Sequence, residues 1–318
     1  MATWFARQNN VNINAANVWN SEANGSGSWL TWPAASGDIL VCNGNIINVN
    51  VSTNLGSGEL QNDTRSGATS GGQFRLNTTG VSLTANAFNI GGNSSGIVRV
   101  TLVSGTVYFV GNLYGSSVGN APGMLIGVGI GATLNFTGNI YAGDGAGAYG
   151  INPQSAHTGA VNITGNVYGS DAGQTAGFFH QSTGVVTITG NVFGGNAINS
   201  NGVKVANTGT GMTITGYSQA STVSAGAQND AQGVLTIGET RSASNGRGAV
   251  LGAFRFASAT AAVSKPIIAG IQQTLSVLDV AALVPAEADV RAGVTYGDGA
   301  YTGTLPPNRK RISMAGRF

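Results

Sequence analysis

The nine residues Val161-Asn162-Ile163-Thr164-Gly165-Asn166-Val167-Tyr168-Gly169 stand in this chain in four versions, and their repetition decides the fold. The others are Val107-Tyr108-Phe109-Val110-Gly111-Asn112-Leu113-Tyr114-Gly115, Leu134-Asn135-Phe136-Thr137-Gly138-Asn139-Ile140-Tyr141-Ala142 and Val186-Thr187-Ile188-Thr189-Gly190-Asn191-Val192-Phe193-Gly194. Anchored on Asn112, Asn139, Asn166 and Asn191, the copies lie 27, 27 and 25 residues apart by subtraction of those positions. A nearly constant period of this length marks a solenoid.

Within one copy, apolar residues alternate with polar ones, the period-2 pattern of a strand with one buried face. Val161 and Ile163 are expected to point inward, Asn162 and Thr164 outward. The glycine and asparagine that follow tolerate left-handed backbone, so the chain can turn a corner there before a second short strand. Such a unit cannot bury a core alone. Stacked on its neighbours at the strand spacing of about 4.8 Å, it can.

Stacking would align like residues in columns. Val107, Leu134, Val161 and Val186 form one inward column; Phe109, Phe136, Ile163 and Ile188 form another. The four anchoring asparagines would make a ladder that satisfies corner groups lacking a sheet partner. Tyr114, Tyr141, Tyr168 and Phe193 would stack beside it. The pattern extends upstream to Val81-Ser82-Leu83-Thr84-Ala85-Asn86, and downstream, without the asparagine, to Met212-Thr213-Ile214-Thr215 and Leu235-Thr236-Ile237. Further strands at Phe74-Arg75-Leu76, Val98-Arg99-Val100, Met124-Leu125-Ile126 and Val203-Lys204-Val205 would each turn their middle residue to solvent. The expectation is an all-β parallel solenoid of about seven rungs, each with two or three short strands.

Composition agrees. With 51 glycines and only 8% charged residues the chain suits short strands and tight turns, and 42% hydrophobic content argues against disorder. A net charge of +2 with scattered basic residues, Arg309-Lys310-Arg311 apart, lacks the clustered cationic face of a nucleic-acid binder. The lone Cys42 excludes an intrachain disulfide framework and a cysteine metal site. No apolar run approaches the roughly 18 residues of a membrane span. Met1-Ala2-Thr3-Trp4 lacks the basic and apolar regions of a secretion signal, which suggests release by lysis or assembly into a particle inside the cell.

Three segments are expected: a cap or attachment segment at 1–37, the solenoid at 38–257, and an extension at 258–318 ending in the basic tail. All four tryptophans, Trp4, Trp19, Trp29 and Trp32, fall in the first, where bulk can shield an open sheet end. Residues 52–73, rich in Ser, Gly, Asn and Thr, read as a protruding loop. The apolar run Ile271–Leu283 fits a helix or a strand.

Two stretches carry a resemblance. Asp289-Val290-Arg291-Ala292-Gly293-Val294-Thr295-Tyr296-Gly297-Asp298-Gly299-Ala300-Tyr301-Thr302-Gly303-Thr304-Leu305 resembles a segment of bacteriophage virion and tail-associated proteins. The N-terminal half, with Gly37-Asp38 before alternating strands, is similar to phage β-solenoid structural proteins. The resemblance implies a phage particle component assembled in the host cytoplasm, without saying which one. Because open solenoids with apolar outer patches usually pair those patches, the expectation is foremost a homotrimeric tail fibre or spike that contacts host surface glycan and other virion proteins. A capsid-decorating protein is the alternative, and a polysaccharide depolymerase of the tailspike kind a third.

A glycosidase needs two carboxyl groups about 5 to 10 Å apart. The solenoid offers Asp144, Asp171, Asp230 and Glu239, of which Asp144 and Asp171 occupy equivalent positions in successive rungs. Each also suits a Gly-rich turn in which aspartate caps its own backbone, the preferred reading, and fold alone confers no chemistry. His157 and His180, in the loop before the strand of successive rungs, lack the further ligands of a metal site and are expected to be loop or partly buried histidines. The outward stripe of threonine and asparagine resembles that of ice-binding solenoids, but threonine is simply a good β residue on a solvated or subunit-facing surface. Gly127-Val128-Gly129-Ile130-Gly131 is no nucleotide loop, because no helix follows. No cofactor, metal, nucleic acid or membrane is expected.

Overall fold

The computed structural model describes residues 1–61, 72–89, 98–116, 122–127, 131–145, 147–171, 175–206, 211–221, 224, 226–229, 235–241 and 250–252, and the pairs 273–274, 295–296 and 301–302. Among them all regular structure is β. The repeated phrase folds as Val161–Thr164, a corner at Gly165 and Asn166, and Val167–Tyr168. Its neighbours are Thr133–Thr137 with Ile140–Tyr141, and Val186–Thr189 with Val192–Phe193. In the earliest copy one strand, Thr106–Tyr114, runs through the corner.

These strands pair in parallel and in the expected register. Val107, Leu134, Val161 and Val186 are successive cross-rung partners, as are Phe109, Phe136, Ile163 and Ile188. All eight are buried. Each such side chain contributes about 1.5–3 kcal/mol when fully buried, but only stacking on both neighbours closes its surroundings.

A second sheet completes each rung. Its ten strands are Val11–Asn12, Ile46–Val49, Gln73–Leu76, Val98–Val100, Met124–Ile126, Ile151–Pro153, Phe178–His180, Val203–Val205, Ala227–Asn229 and Val250–Gly252, in chain order and all parallel. Arg75, Arg99, Leu125 and Lys204 are each half-exposed between two buried residues, so the middle residue of those strands does face outward. Ten strands exceed the seven rungs expected, because rungs at both ends form without the Gly-Asn phrase.

The loop expected at 52–73 is corrected in part. Thr53–Asn54 and Glu59–Gln61 are strands of the first sheet, paired with Ser82–Asn89, and Gln73 opens a strand of the second. Backbone groups enter a ladder whatever the side chain, and Leu55 and Leu60, both fully buried, anchor the segment. Residues 62–71 lie outside the described residues.

The N-terminal segment contributes strands to both sheets. Thr3–Ala6 runs parallel to Ile39–Val41, and Trp19–Asn20 pairs antiparallel on its other side, at the end of the first sheet. Trp19 is buried, stacks on Phe74 at 6.3 Å between ring centroids, and donates its Nε1–H to the Ile13 carbonyl at 2.8 Å. Asp38 ties the segment down, accepting from Ala2 N at 2.9 Å, Trp4 Nε1 at 3.0 Å and Ala35 N at 3.0 Å. Burial alone would raise its pKa, but these donors outweigh that and hold the carboxyl below its ordinary value.

Contacts divide the chain into one unit of Met1–Phe254 with Ser264–Thr274, and another of Arg255–Val263 with Leu275–Phe318. In the first, Gln273–Thr274 pairs antiparallel with Leu235–Arg241. In the second, the described strands Thr295–Tyr296 and Tyr301–Thr302 pair antiparallel. The rest of the run 271–283 and the basic tail lie outside the described residues.

The corner explains the repeated glycine. Gly111, Gly138, Gly165 and Gly190 have φ of 142°, 141°, 147° and 157°, which disfavour a side chain. A Cβ on Gly165 would also overlap the carbonyl of Gly138 one rung earlier, and one on Gly190 that of Gly165. The asparagines beside them do not adopt positive φ, contrary to the left-handed role expected for both corner residues. Gly165→Ala should therefore cost at least about 1–3 kcal/mol from backbone strain alone, read as a lowered melting temperature in circular dichroism; an unchanged melt would contradict this corner geometry.

Candidate functional site

The four asparagines form a one-directional ladder. Asn112 Oδ1 accepts from Asn139 N at 3.1 Å, Asn139 Oδ1 from Asn166 N at 3.0 Å, and Asn166 Oδ1 from Asn191 N at 3.0 Å. Asn191 Oδ1 continues it to Tyr217 N at 3.1 Å. Each carbonyl thus satisfies the corner N–H of the next rung. Asn166 also donates Nδ2–H to the Tyr168 hydroxyl at 3.2 Å, linking ladder and aromatic column. There Tyr114, Tyr141, Tyr168 and Phe193 stack with centroids 4.7, 4.8 and 4.8 Å apart and planes within 8°. Burial first, then the flanking Tyr114 and Tyr168, raise the Tyr141 phenol above its ordinary pKa. Because each ring covers its neighbour's face, this column is a structural spine and not a stacking platform for a ligand.

The outward side of the first sheet carries two uncharged columns. One runs Ser82, Tyr108, Asn135, Asn162, Thr187, Thr213; the other Thr84, Val110, Thr137, Thr164, Thr189. Tyr108 and Val110 are 44% and 41% exposed. Asn162 Nδ2 donates to Asn135 Oδ1 at 2.9 Å.

Asp144 and Asp171 occupy equivalent exposed positions in successive rungs. Each reaches forward by one rung: Asp144 Oδ1 accepts from Ser170 Oγ at 2.7 Å, and Asp171 Oδ1 from Asn196 Nδ2 at 2.9 Å and Asn196 N at 3.3 Å. They tie neighbouring rungs together, which differs from the expected capping of their own turns. Asp230 lies outside the described residues.

His157 lies in the loop before the strand Val161–Thr164, as expected, whereas the position of His180 and the full burial of both differ from expectation. His180 ends the strand Phe178–His180, opposite Val205, and both it and His157 are fully buried. Neutral imidazole is apolar enough for a core position when one nitrogen is bonded, and His180 Nδ1 lies 3.3 Å from Ser182 Oγ. Burial, with His157 nearby, pulls the His180 pKa down to about 4. Among the described residues no group of three or more His, Cys, Asp or Glu could hold a metal ion, and no helix is long and apolar enough to cross a membrane.

On the second sheet's outer face Arg75 and Arg99 are direct cross-rung partners, a juxtaposition the strand pattern alone does not show.

No protein-family model matches the chain. No curated protein matches it, and neither does any solved structure.

Removing the ladder carbonyl in Asn166→Ala leaves the Asn191 N–H without its acceptor and should cost on the order of 1–2 kcal/mol, measurable by thermal denaturation. His180 sets a pH dependence. Its folded pKa lies below the unfolded value near 6.5, so the unfolded state binds the extra proton first. The stability it permits is fully present above about pH 6.5 and lost as pH falls towards 4, a total of about 3 kcal/mol. Denaturant titrations of wild type and His180→Leu across that window should show the wild type's slope reduced in the variant.

Proposed function

We propose that the chain is a rigid structural shaft of a phage particle, a trimeric tail fibre or spike that meets the host surface. The observation that carries this is the uncharged outer face of the first sheet, unbroken from Ser82 to Thr213, with Tyr108 and Val110 exposed side by side on one strand. Such a face loses little on desolvation, and closed symmetry is the usual way for identical chains to cover one another's apolar patches. The resemblance of residues 289–305 to a segment of phage virion and tail-associated proteins fits a particle component without choosing between tail and capsid. Asp144 and Asp171 accept hydrogen bonds from the following rung, which favours a binding role over a hydrolytic one.

Light scattering of the full chain should give three times its 31.8 kDa mass, and Tyr108→Glu with Val110→Glu should shift it towards the monomer. Quantitative mass spectrometry of purified particles should find a few copies each. Abundance near that of the major capsid protein would mark a decorating protein instead, and absence from particles would end the virion assignment.

A further inference from the structure

We propose that Arg75 and Arg99 form a binding site for the acidic groups of a surface polysaccharide; this rests on the host-surface role above and names the chemistry recognised there. The two arginines occupy the same outward position on adjacent strands, Gln73–Leu76 and Val98–Val100. Their flanking residues Phe74, Leu76, Val98 and Val100 are all buried, which turns both guanidinium groups to the same side. Parallel strands lie about 4.8 Å apart, so two cations stand one rung apart. Like charges directly opposed across a ladder destabilise it unless an anion intervenes.

Among the described residues of this sheet no anion does so. The ten strands of the second sheet contain Arg75, Arg99 and Lys204 but neither aspartate nor glutamate. Nε of Arg75 and Nε of Arg99 are both shielded from solvent without a hydrogen-bond partner, as is Oε1 of Gln73, two residues before Arg75 on the same face. Lys204 differs: its ammonium lies 5.8 Å from the centre of the Phe179 ring, a cation–π contact. In a chain with only 14 basic residues, two arginines stand at strand spacing, and each guanidinium carries the planar fork of donors that holds a carboxylate or sulfate oxygen pair.

The surroundings favour a sugar polymer. Asn48 precedes Arg75 in the column, and Asn77 donates to it at 3.4 Å, so amides able to bond hydroxyls border the pair. Asn152 follows two strands after Arg99, beyond Leu125, with Oδ1 unpartnered. Two cations are too few for a nucleic-acid backbone, whose affinity comes from many phosphate contacts.

The test is affinity electrophoresis of the full chain in gels containing polygalacturonate, dextran sulfate or neutral dextran, with a single-stranded oligonucleotide as competitor. The wild type should be retarded by an acidic polymer and not by dextran, and the preferred polymer identifies carboxylate or sulfate. Arg75→Gln and Arg99→Gln should each weaken retention about tenfold, the equivalent of one charged hydrogen bond, with unchanged melting temperatures. Equal retention of wild type and double variant would overturn the proposal. So would no retention by either acidic polymer, or displacement by the oligonucleotide at lower concentration than by free galacturonate oligomers. Should the variants misfold, the wild type decides by itself, since retention that does not weaken with added salt is not electrostatic. Particle copy number is read separately, so the failure of this site and the failure of the virion role are distinguishable.

Discussion

At each corner the chain must turn within the thickness of one strand spacing, and that constraint governs the structure. The carbonyl of Gly138 lies where a Cβ of Gly165 would be, so the turn is open only to glycine. The next residue's amide then faces the preceding rung, where an asparagine carbonyl meets it at 3.0–3.1 Å. Glycine permits the approach and asparagine closes the bond it exposes. Once the corner is fixed, the strands on either side are held in register and the inward columns follow. A slip by one residue would turn Val161 and Ile163 to solvent and bury Asn162 and Thr164.

The same regularity limits where function can lie. The interior is filled by columns such as Phe109 on Phe136, with ring centroids 6.5 Å apart, and even the imidazole of His180 is enclosed. Its low pKa expresses packing, because a neutral ring costs less to bury than a charged one. Chemistry is left to the outer faces and loops. Asp144 and Asp171 show how a loop carboxylate is used here: each accepts a hydrogen bond from the following rung, Asp144 from Ser170 and Asp171 from Asn196.

Much of this was legible in the sequence, and the pattern of what was not has physical causes. Inward columns and ladder could be read because alternation and a 25–27-residue period specify both face and rung. The strands at Thr53–Asn54 and Glu59–Gln61 could not, since a ladder pairs backbone groups and leaves polar side chains unconstrained. His180 reads as a loop residue in the sequence because its strand, Phe178–His180, lacks alternation: all three residues are buried. The arginine couple was hidden by loop length. Arg75 and Arg99 lie 24 residues apart by subtraction, shorter than the period of the anchoring phrase, and only strand pairing shows that they share one column.

The two outer faces differ in what it costs to cover them. Removing threonine, asparagine, tyrosine and valine from water exacts little that a matching surface cannot restore, so the first sheet suits contact with an identical face. Removing two guanidinium groups without a counter-anion is expensive, and an identical face would bring four cations together. The second sheet is therefore poorly suited to packing against its own copy and well suited to a partner that supplies the missing charge. On the proposed reading, covering the neutral sheet with copies of itself would leave the arginines of the other sheet open, where an extended acidic polymer could reach them.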